Sequence, residues 1–152
     1  MANGIIDVHA HVVFDALLGK AGRYGPEVGR DEHDTPYFRV GDYAMKPLSY
    51  DGTVFTDLSL RLRELDRLQI DLQVLSPNPL TFLHGIEAPI AADFCQQHNT
   101  LMAAVVAEAP DTFVGLAALP MQDIPAACDA LERAVGELGL KGAMIGTNFR
   151  QG

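Results

Sequence analysis

The stretch Ile6-Asp7-Val8-His9-Ala10-His11 guides the interpretation of the whole sequence. Residues 4–8 contain β-branched side chains and no proline, which predicts a β-strand. Because side chains alternate between the two faces of a strand, Asp7, His9 and His11 are expected on one face. Two imidazoles placed in this way suit a divalent metal bound at ~2.0–2.1 Å per nitrogen. The sequence therefore predicts His9 and His11 as metal ligands, and the alternative is a pair of hydrogen-bonded core histidines.

Asp7 has two possible roles. Its carboxylate would either orient a metal-bound imidazole from behind or accept a hydrogen bond from a nearby backbone amide. The sequence favours neither.

Further along the chain, apolar runs alternate with helical patterns. Three continuous apolar runs are typical of strands covered on both faces of a parallel sheet. Between them, leucines and other apolar residues recur at helical spacing, with Asp57 or Thr56 and Asp123 as N-caps. The predicted strands are 4–8, 72–76, 113–119 and 142–145, and the predicted helices are 57–70, 90–109 and 123–138.

The resulting order is strand, long loop, helix, strand, helix, strand, helix, strand. Such alternation predicts an α/β fold of four parallel strands joined by right-handed crossovers. In folds of this class the loops at the carboxyl ends of the strands carry the site. Asn78 and His84, after the second strand, and Asn148, after the fourth, are therefore candidate substrate contacts, with solvated loops as the alternative.

The segment 12–55 has no sustained hydrophobic period and holds six glycines and three prolines. It is far longer than the usual connection of about 4–6 residues. Because it leaves the carboxyl end of the first strand, the sequence predicts an active-site loop that acts as a lid.

Composition narrows the class of protein. The chain has 152 residues, which suits one domain, and a net charge of −9 argues against a nucleic-acid partner. No run of eighteen apolar residues is present, so no membrane span is expected. The N-terminus lacks the basic and apolar regions of a secretory signal, and the default expectation is a cytoplasmic protein.

Five segments in order resemble the amidohydrolase-related branch of the amidohydrolase superfamily, and most resemble the group that contains aminocarboxymuconate-semialdehyde decarboxylase. The resemblance covers nearly the whole chain. Its segments are Ile6-Asp-Val-His-Ala-His11, Arg61-Leu-Arg-Glu-Leu-Asp66, Val74-Leu-Ser76, Phe113-Val-Gly-Leu-Ala-Ala-Leu-Pro-Met-Gln122 and Glu137-Leu-Gly-Leu-Lys-Gly-Ala-Met-Ile-Gly-Thr147.

The resemblance implies a distorted (β/α)8 barrel and a divalent metal, usually zinc and sometimes manganese. His9 and His11 match the first-strand ligands, and the metal would activate a water or orient the substrate. A third metal histidine, a metal aspartate and an acid/base histidine lie on later strands of the family, so the resemblance identifies no catalytic residue here. The implied reaction is non-oxidative decarboxylation of a small aromatic or unsaturated carboxylate, or hydrolysis.

The length departs from the family. A (β/α)8 barrel needs about 250 residues, so residues 1–152 are interpreted as the N-terminal half of such a barrel, weakly active or inactive alone. Completion would come from a C-terminal half or from a homo-oligomer, and the alternative is a non-catalytic half-barrel that associates through its open sheet edges. The family's carboxylate-binding arginine has no clear match, and Arg39 and Lys46 are the nearby cations.

Overall fold

The computed structural model describes residues 4–147, and helices and strands alternate along them. Two separate three-stranded sheets are present in this part of the chain. The elements are β1 (Ile6–Val12), β2 (Glu27–Arg30), β3 (Pro36–Val40), β4 (Tyr43–Met45), α1 (Leu58–Leu68), β5 (Leu72–Pro77), α2 (Ala88–Glu108), β6 (Phe113–Gly115) and α3 (Ile124–Gly136).

The first sheet is parallel, in the order β1–β5–β6, and confirms the predicted α/β class. Its main core lies between the sheet and the helices, where Leu75, Met102 and Phe113 are almost completely buried. The predicted helix starts are confirmed at two positions. Asp57 accepts a hydrogen bond from the Leu60 amide at 2.8 Å, and Asp123 accepts one from the Ala126 amide at 3.1 Å.

The fourth predicted strand, 142–145, is reduced to one parallel bridge between Ala117 and Ala143. Two hydrogen bonds make this bridge, from the Ala117 amide to the Gly142 carbonyl and from the Met144 amide to the Ala117 carbonyl. The segment therefore lies beside the continuation of β6, where a fourth barrel strand belongs, without extended pairing. The third strand is likewise shorter than the predicted 113–119.

The segment 12–55 is not the irregular loop that was predicted. It contains two short 3-10 turns and the antiparallel sheet β2–β3–β4. A small core of Val13, Phe38 and Tyr50 supports this sheet, and the Phe38 and Tyr50 rings lie 5.0 Å apart. The insertion is thus an ordered unit packed on the end of β1, and a lid movement stays a prediction.

None of the helices within residues 4–147 is long and apolar enough to cross a membrane.

Candidate metal centre

A β-bulge in β1 decides where the candidate ligands point. Asp7 pairs with Gln73 of β5, but Ala10 already pairs with Leu75, so β1 carries one extra residue between them. Paired residues in a parallel ladder share a face, and the bulge therefore reverses the alternation. Asp7 lies on the Gln73 face, whereas His11 pairs with Ser76 on the opposite face. The expectation that Asp7, His9 and His11 share a face is wrong for Asp7.

Behind the bulge, Asp7 belongs to a chain of hydrogen bonds that reaches both histidines. Its Oδ1 accepts from the His9 amide at 3.0 Å, and its Oδ2 accepts from Gln73 Nε2 at 2.7 Å. Gln73 Oε1 in turn accepts from Arg61 Nη1 at 2.8 Å, and Arg61 Nη2 donates to the His11 carbonyl at 2.7 Å. The bonds from Gln73 and the His9 amide lower the pKa of Asp7. Of the two roles considered for Asp7, the structure shows the second, in which its carboxylate accepts a hydrogen bond from a nearby backbone amide.

These four hydrogen bonds fix the backbone on both sides of Ala10. Arg61, on α1, is only 5% exposed. A buried guanidinium is costly unless its donors are satisfied, and here two of its nitrogens bond to Gln73 and to the first strand. The network therefore holds the bulge in one register and sets the spacing of His9 and His11.

The two imidazoles lie together on the other face. Their ring centroids are 4.8 Å apart, with the ring planes at 75°. His9 is exposed and His11 is half-buried. His11 Nδ1 lies 2.9 Å from Ser76 Oγ, so this ring is held from β5.

The electrostatics of His11 favour the form that binds metals. Burial lowers the pKa of His11, and the charge of neighbouring His9 lowers it further, while a hydrogen bond to the Pro77 backbone acts in the opposite direction. The ring is therefore neutral at neutral pH. Metal ligation requires a neutral imidazole with a lone pair.

The donors present fit part of a metal site. Two adjacent imidazoles are suitable ligands for zinc or manganese, but catalytic zinc normally takes three protein ligands. Within residues 4–147 no group of three or more His, Cys, Asp or Glu side chains could hold an ion. His9 and His11 therefore make up two ligands of a site that needs more.

The predicted substrate contacts occupy different settings. Asn78 is buried, with its Oδ1 accepting from the Leu80 amide at 3.0 Å and its Nδ2 donating to the Tyr50 hydroxyl at 3.0 Å. The His84 ring is half-buried and stacks on Phe82 at 5.2 Å. Asn148 lies outside the described residues. Asn78 thus links the loop after β5 to the insertion, and substrate contact by these residues stays a prediction.

The two cations near the first helix are both engaged within the insertion. Arg39 pairs with Glu27 and donates to the Gly41 carbonyl at 2.7 Å. Lys46 Nζ lies 2.8 Å from Asp31 Oδ2. Each cation therefore has a carboxylate partner supplied by the chain itself.

Comparison with known proteins identifies the family of the chain. The sequence profile of the family described as amidohydrolase matches residues 6–152. The chain belongs to the amidohydrolase family. Together with the parallel sheet, this match confirms the predicted fold class, the N-terminal part of an amidohydrolase barrel.

The relatives are decarboxylases. The chain is 34% identical to 2-amino-3-carboxymuconate-6-semialdehyde decarboxylase of Dictyostelium discoideum, covering 94% of this chain and 40% of that protein. It is 38% identical to gamma-resorcylate decarboxylase of Rhodococcus jostii over 57% of this chain and 26% of that protein. The crystal structure of dihydroxybenzoic acid decarboxylase from Polaromonas sp. JS666, with bound manganese and the inhibitor 2-nitroresorcinol, superposes with a TM-score of 0.68. The identity to that structure is 28%, over 93% of this chain and 37% of that one.

The chain therefore spans about two fifths of the length of the first of these relatives. Sequence reasoning found both histidines of this amidohydrolase but missed Arg61, Gln73 and Ser76. Two signals were available. Arg61 lies three residues after Leu58 and four before Leu65, which is the spacing of the buried stripe, and Ser76 is a hydroxyl at the carboxyl end of the strand that neighbours the histidines.

Proposed function

We propose that this protein is a metal-dependent, non-oxidative decarboxylase of a small aromatic or unsaturated carboxylate, to which this chain contributes two metal ligands, His9 and His11. The observation that carries the proposal is the position of the two rings on the face of the sheet away from the helices. Their centroids are 4.8 Å apart, and His9 is exposed while His11 is half-buried. The decarboxylase relatives support the reaction class, and a hydrolase of the same family is the second outcome.

Residues of this chain would hold and orient the site. Burial keeps His11 neutral, and Ser76 holds its ring from the neighbouring strand. Asp7 and Arg61 fix the backbone of the two histidines from behind. A rigid first strand is required because a ligand displaced by even 1 Å costs much of the advantage of a prepared site.

A bound divalent ion supplies a Lewis acid that polarises an oxygen of the substrate. Zinc is the ion that the sequence favours, and manganese is the ion in the Polaromonas relative. Imidazole nitrogens accept both. Loading the metal-free protein with each ion separately, followed by measurement of CO2 release, decides between them.

The remaining ligands would come from the part of the barrel that corresponds to the rest of the relatives' length, on this polypeptide or on a second one. The open edge of β1 supports this. Ile6 is 58% exposed and Val8 is 73% exposed on this strand. Apolar side chains on an unpaired edge require cover.

The test is to replace both histidines with alanine. In His9→Ala/His11→Ala of the protein with the complete barrel, we expect the bound divalent metal to fall from about one ion per site to none, and CO2 release from a panel of hydroxybenzoates and unsaturated carboxylates to be lost. His33→Ala is the matched control, because His33 is exposed in the loop between β2 and β3. Unchanged metal content by elemental analysis in the double variant would contradict the proposal.

A second candidate is a non-catalytic half-barrel that associates through the same open edge. The exposed β1 side chains favour it as much as they favour completion of a barrel. Mass in solution and metal stoichiometry separate the two. An assembly without tightly bound metal supports the non-catalytic candidate, and an assembly with one tightly bound ion per site supports the enzyme.

A further inference from the structure

Ser76 occupies an unusual position between the two strands of the site. It lies on β5 directly opposite His11 and is only 4% exposed. Its Oγ makes two contacts, one to His11 Nδ1 at 2.9 Å and one to the Ala10 carbonyl at 2.9 Å. Ala10 is the residue between the two histidines, so one hydroxyl contacts both the ring of a ligand and the backbone that links the ligand pair.

The direction of these hydrogen bonds follows from proton counting. A serine hydroxyl has one proton to donate, and a carbonyl oxygen can only accept. The Ser76 proton must therefore point to the Ala10 carbonyl. The contact with His11 then requires that the ring nitrogen Nδ1 carries a proton and donates it to Ser76 Oγ.

A neutral imidazole carries one proton, so a protonated Nδ1 leaves the lone pair on Nε2. We infer that Ser76 is a positioning residue that selects the Nδ1–H tautomer of His11 and thereby presents Nε2 to the metal. The inference rests on the proposed function only in assigning His11 as a ligand, because the tautomer itself is a property of the metal-free protein.

The first test is the tautomer in the metal-free protein. Nitrogen-15 NMR of histidine-labelled protein at pH 8 is expected to show a pyrrole-type Nδ1 and a pyridine-type Nε2 for His11. Ser76→Ala should convert this to a mixture of tautomers, and Ser76→Thr, which keeps the hydroxyl, should restore the wild-type pattern. Finding Nε2–H in the wild type, or an unchanged tautomer in Ser76→Ala, would overturn the inference.

The second test is binding of Zn²⁺ or Mn²⁺ alone, measured by competition with a chelating indicator. Loss of a group that orients a metal-bound histidine typically lowers metal affinity about 10- to 100-fold. We expect this loss in Ser76→Ala, recovery in Ser76→Thr, and no change in the control Ser59→Ala, which removes an exposed hydroxyl from α1. Equal affinities in Ser76→Ala and wild type would also overturn the inference.

The two proposals can fail separately. If the wild-type protein with the complete barrel shows the expected tautomer but binds neither ion, the proposed function fails and the role of Ser76 in fixing the ring stands. If the wild type binds metal but Ser76→Ala keeps both the tautomer and the affinity, the role of Ser76 fails and the proposed function stands. Thermal melts of each variant show whether folding has changed.

Discussion

The two sheets of the protein use polar residues in opposite ways. At the parallel sheet β1–β5–β6, Gln73 and Ser76 of β5 and Arg61 of the adjacent α1 are buried and bonded to each other or to the first strand. In the antiparallel sheet β2–β3–β4, the cations pair with carboxylates at the surface, as in Arg39–Glu27 and Lys46–Asp31. A buried polar group that lacks a hydrogen-bond partner destabilises the fold, so the first arrangement specifies one geometry. The second is screened by water and contributes little to specificity.

The largest effect is expected from breaking the buried network. Arg61→Met keeps much of the aliphatic stem but leaves Gln73 Oε1 and the His11 carbonyl without their donor. Each buried acceptor that loses its donor costs about 1–3 kcal/mol, so the free energy of unfolding should fall by about 4 kcal/mol. Urea unfolding measures this.

Arg63→Met is the matched control, since Arg63 is exposed on the same helix. A surface substitution of this kind should change stability by less than about 0.5 kcal/mol. Equal effects of the two substitutions would contradict the distinction between buried and exposed polar groups.

A smaller effect concerns His98, which lies on α2 and packs against Phe14, just after β1. Its ring is almost fully buried and meets Phe14 edge-on at 5.2 Å. Burial lowers the pKa of His98 to about 4 from a usual value of 6.5. The unfolded chain therefore takes up a proton at a higher pH than the folded chain does.

The contribution of the neutral His98 ring to the free energy of unfolding should therefore be fully present above about pH 6.5 and be lost as the pH drops to about 4. A shift of this size corresponds to about 3 kcal/mol. Unfolding measured across this range should show a steep pH dependence that is reduced in His98→Leu and retained in His33→Leu, where the exposed ring belongs to the insertion. A slope that is the same in His98→Leu and wild type would show that His98 is not its source.

The two regions also differ in how far the sequence could predict them. The parallel sheet and its helices follow from local signals, namely continuous apolar runs and the caps Asp57 and Asp123. The histidine pair was found because both residues lie on one short strand. Asp7 was misplaced, because period-two alternation assumes a regular strand, and the bulge depends on Gln73 and Arg61, which are more than fifty residues away.

The strands of the insertion were not predicted, for a different reason. Its strands are three to five residues long, too short for a period to emerge. One local signal was present: Gly41-Asp42 separates β3 from β4, and Gly41 adopts a φ of 57°. Two-residue turns that begin with glycine are typical of hairpins. The rest of the unit depends on long-range contacts such as Asn78 with Tyr50.

The smallest effect is expected from the surface pair of the insertion. Lys46→Met keeps the aliphatic stem and removes the charge that lies 2.8 Å from Asp31. Hydrogen bonding to Lys46 and to the Thr35 amide lowers the pKa of Asp31 to about 2 from 3.8, so the pair persists from neutral pH down to about pH 4 and is lost only as the pH approaches 2.

At pH 7 and low salt, the melting temperature of Lys46→Met should be slightly below that of wild type. In about 1 M salt the Debye length is about 3 Å, and the difference should vanish. The deficit of Arg61→Met should persist at both salt concentrations, because its partners are buried. If Lys46→Met lowered the melting temperature as much as Arg61→Met does, and at both salt concentrations, the geometry of the insertion would depend on its polar groups in the same way as that of β1.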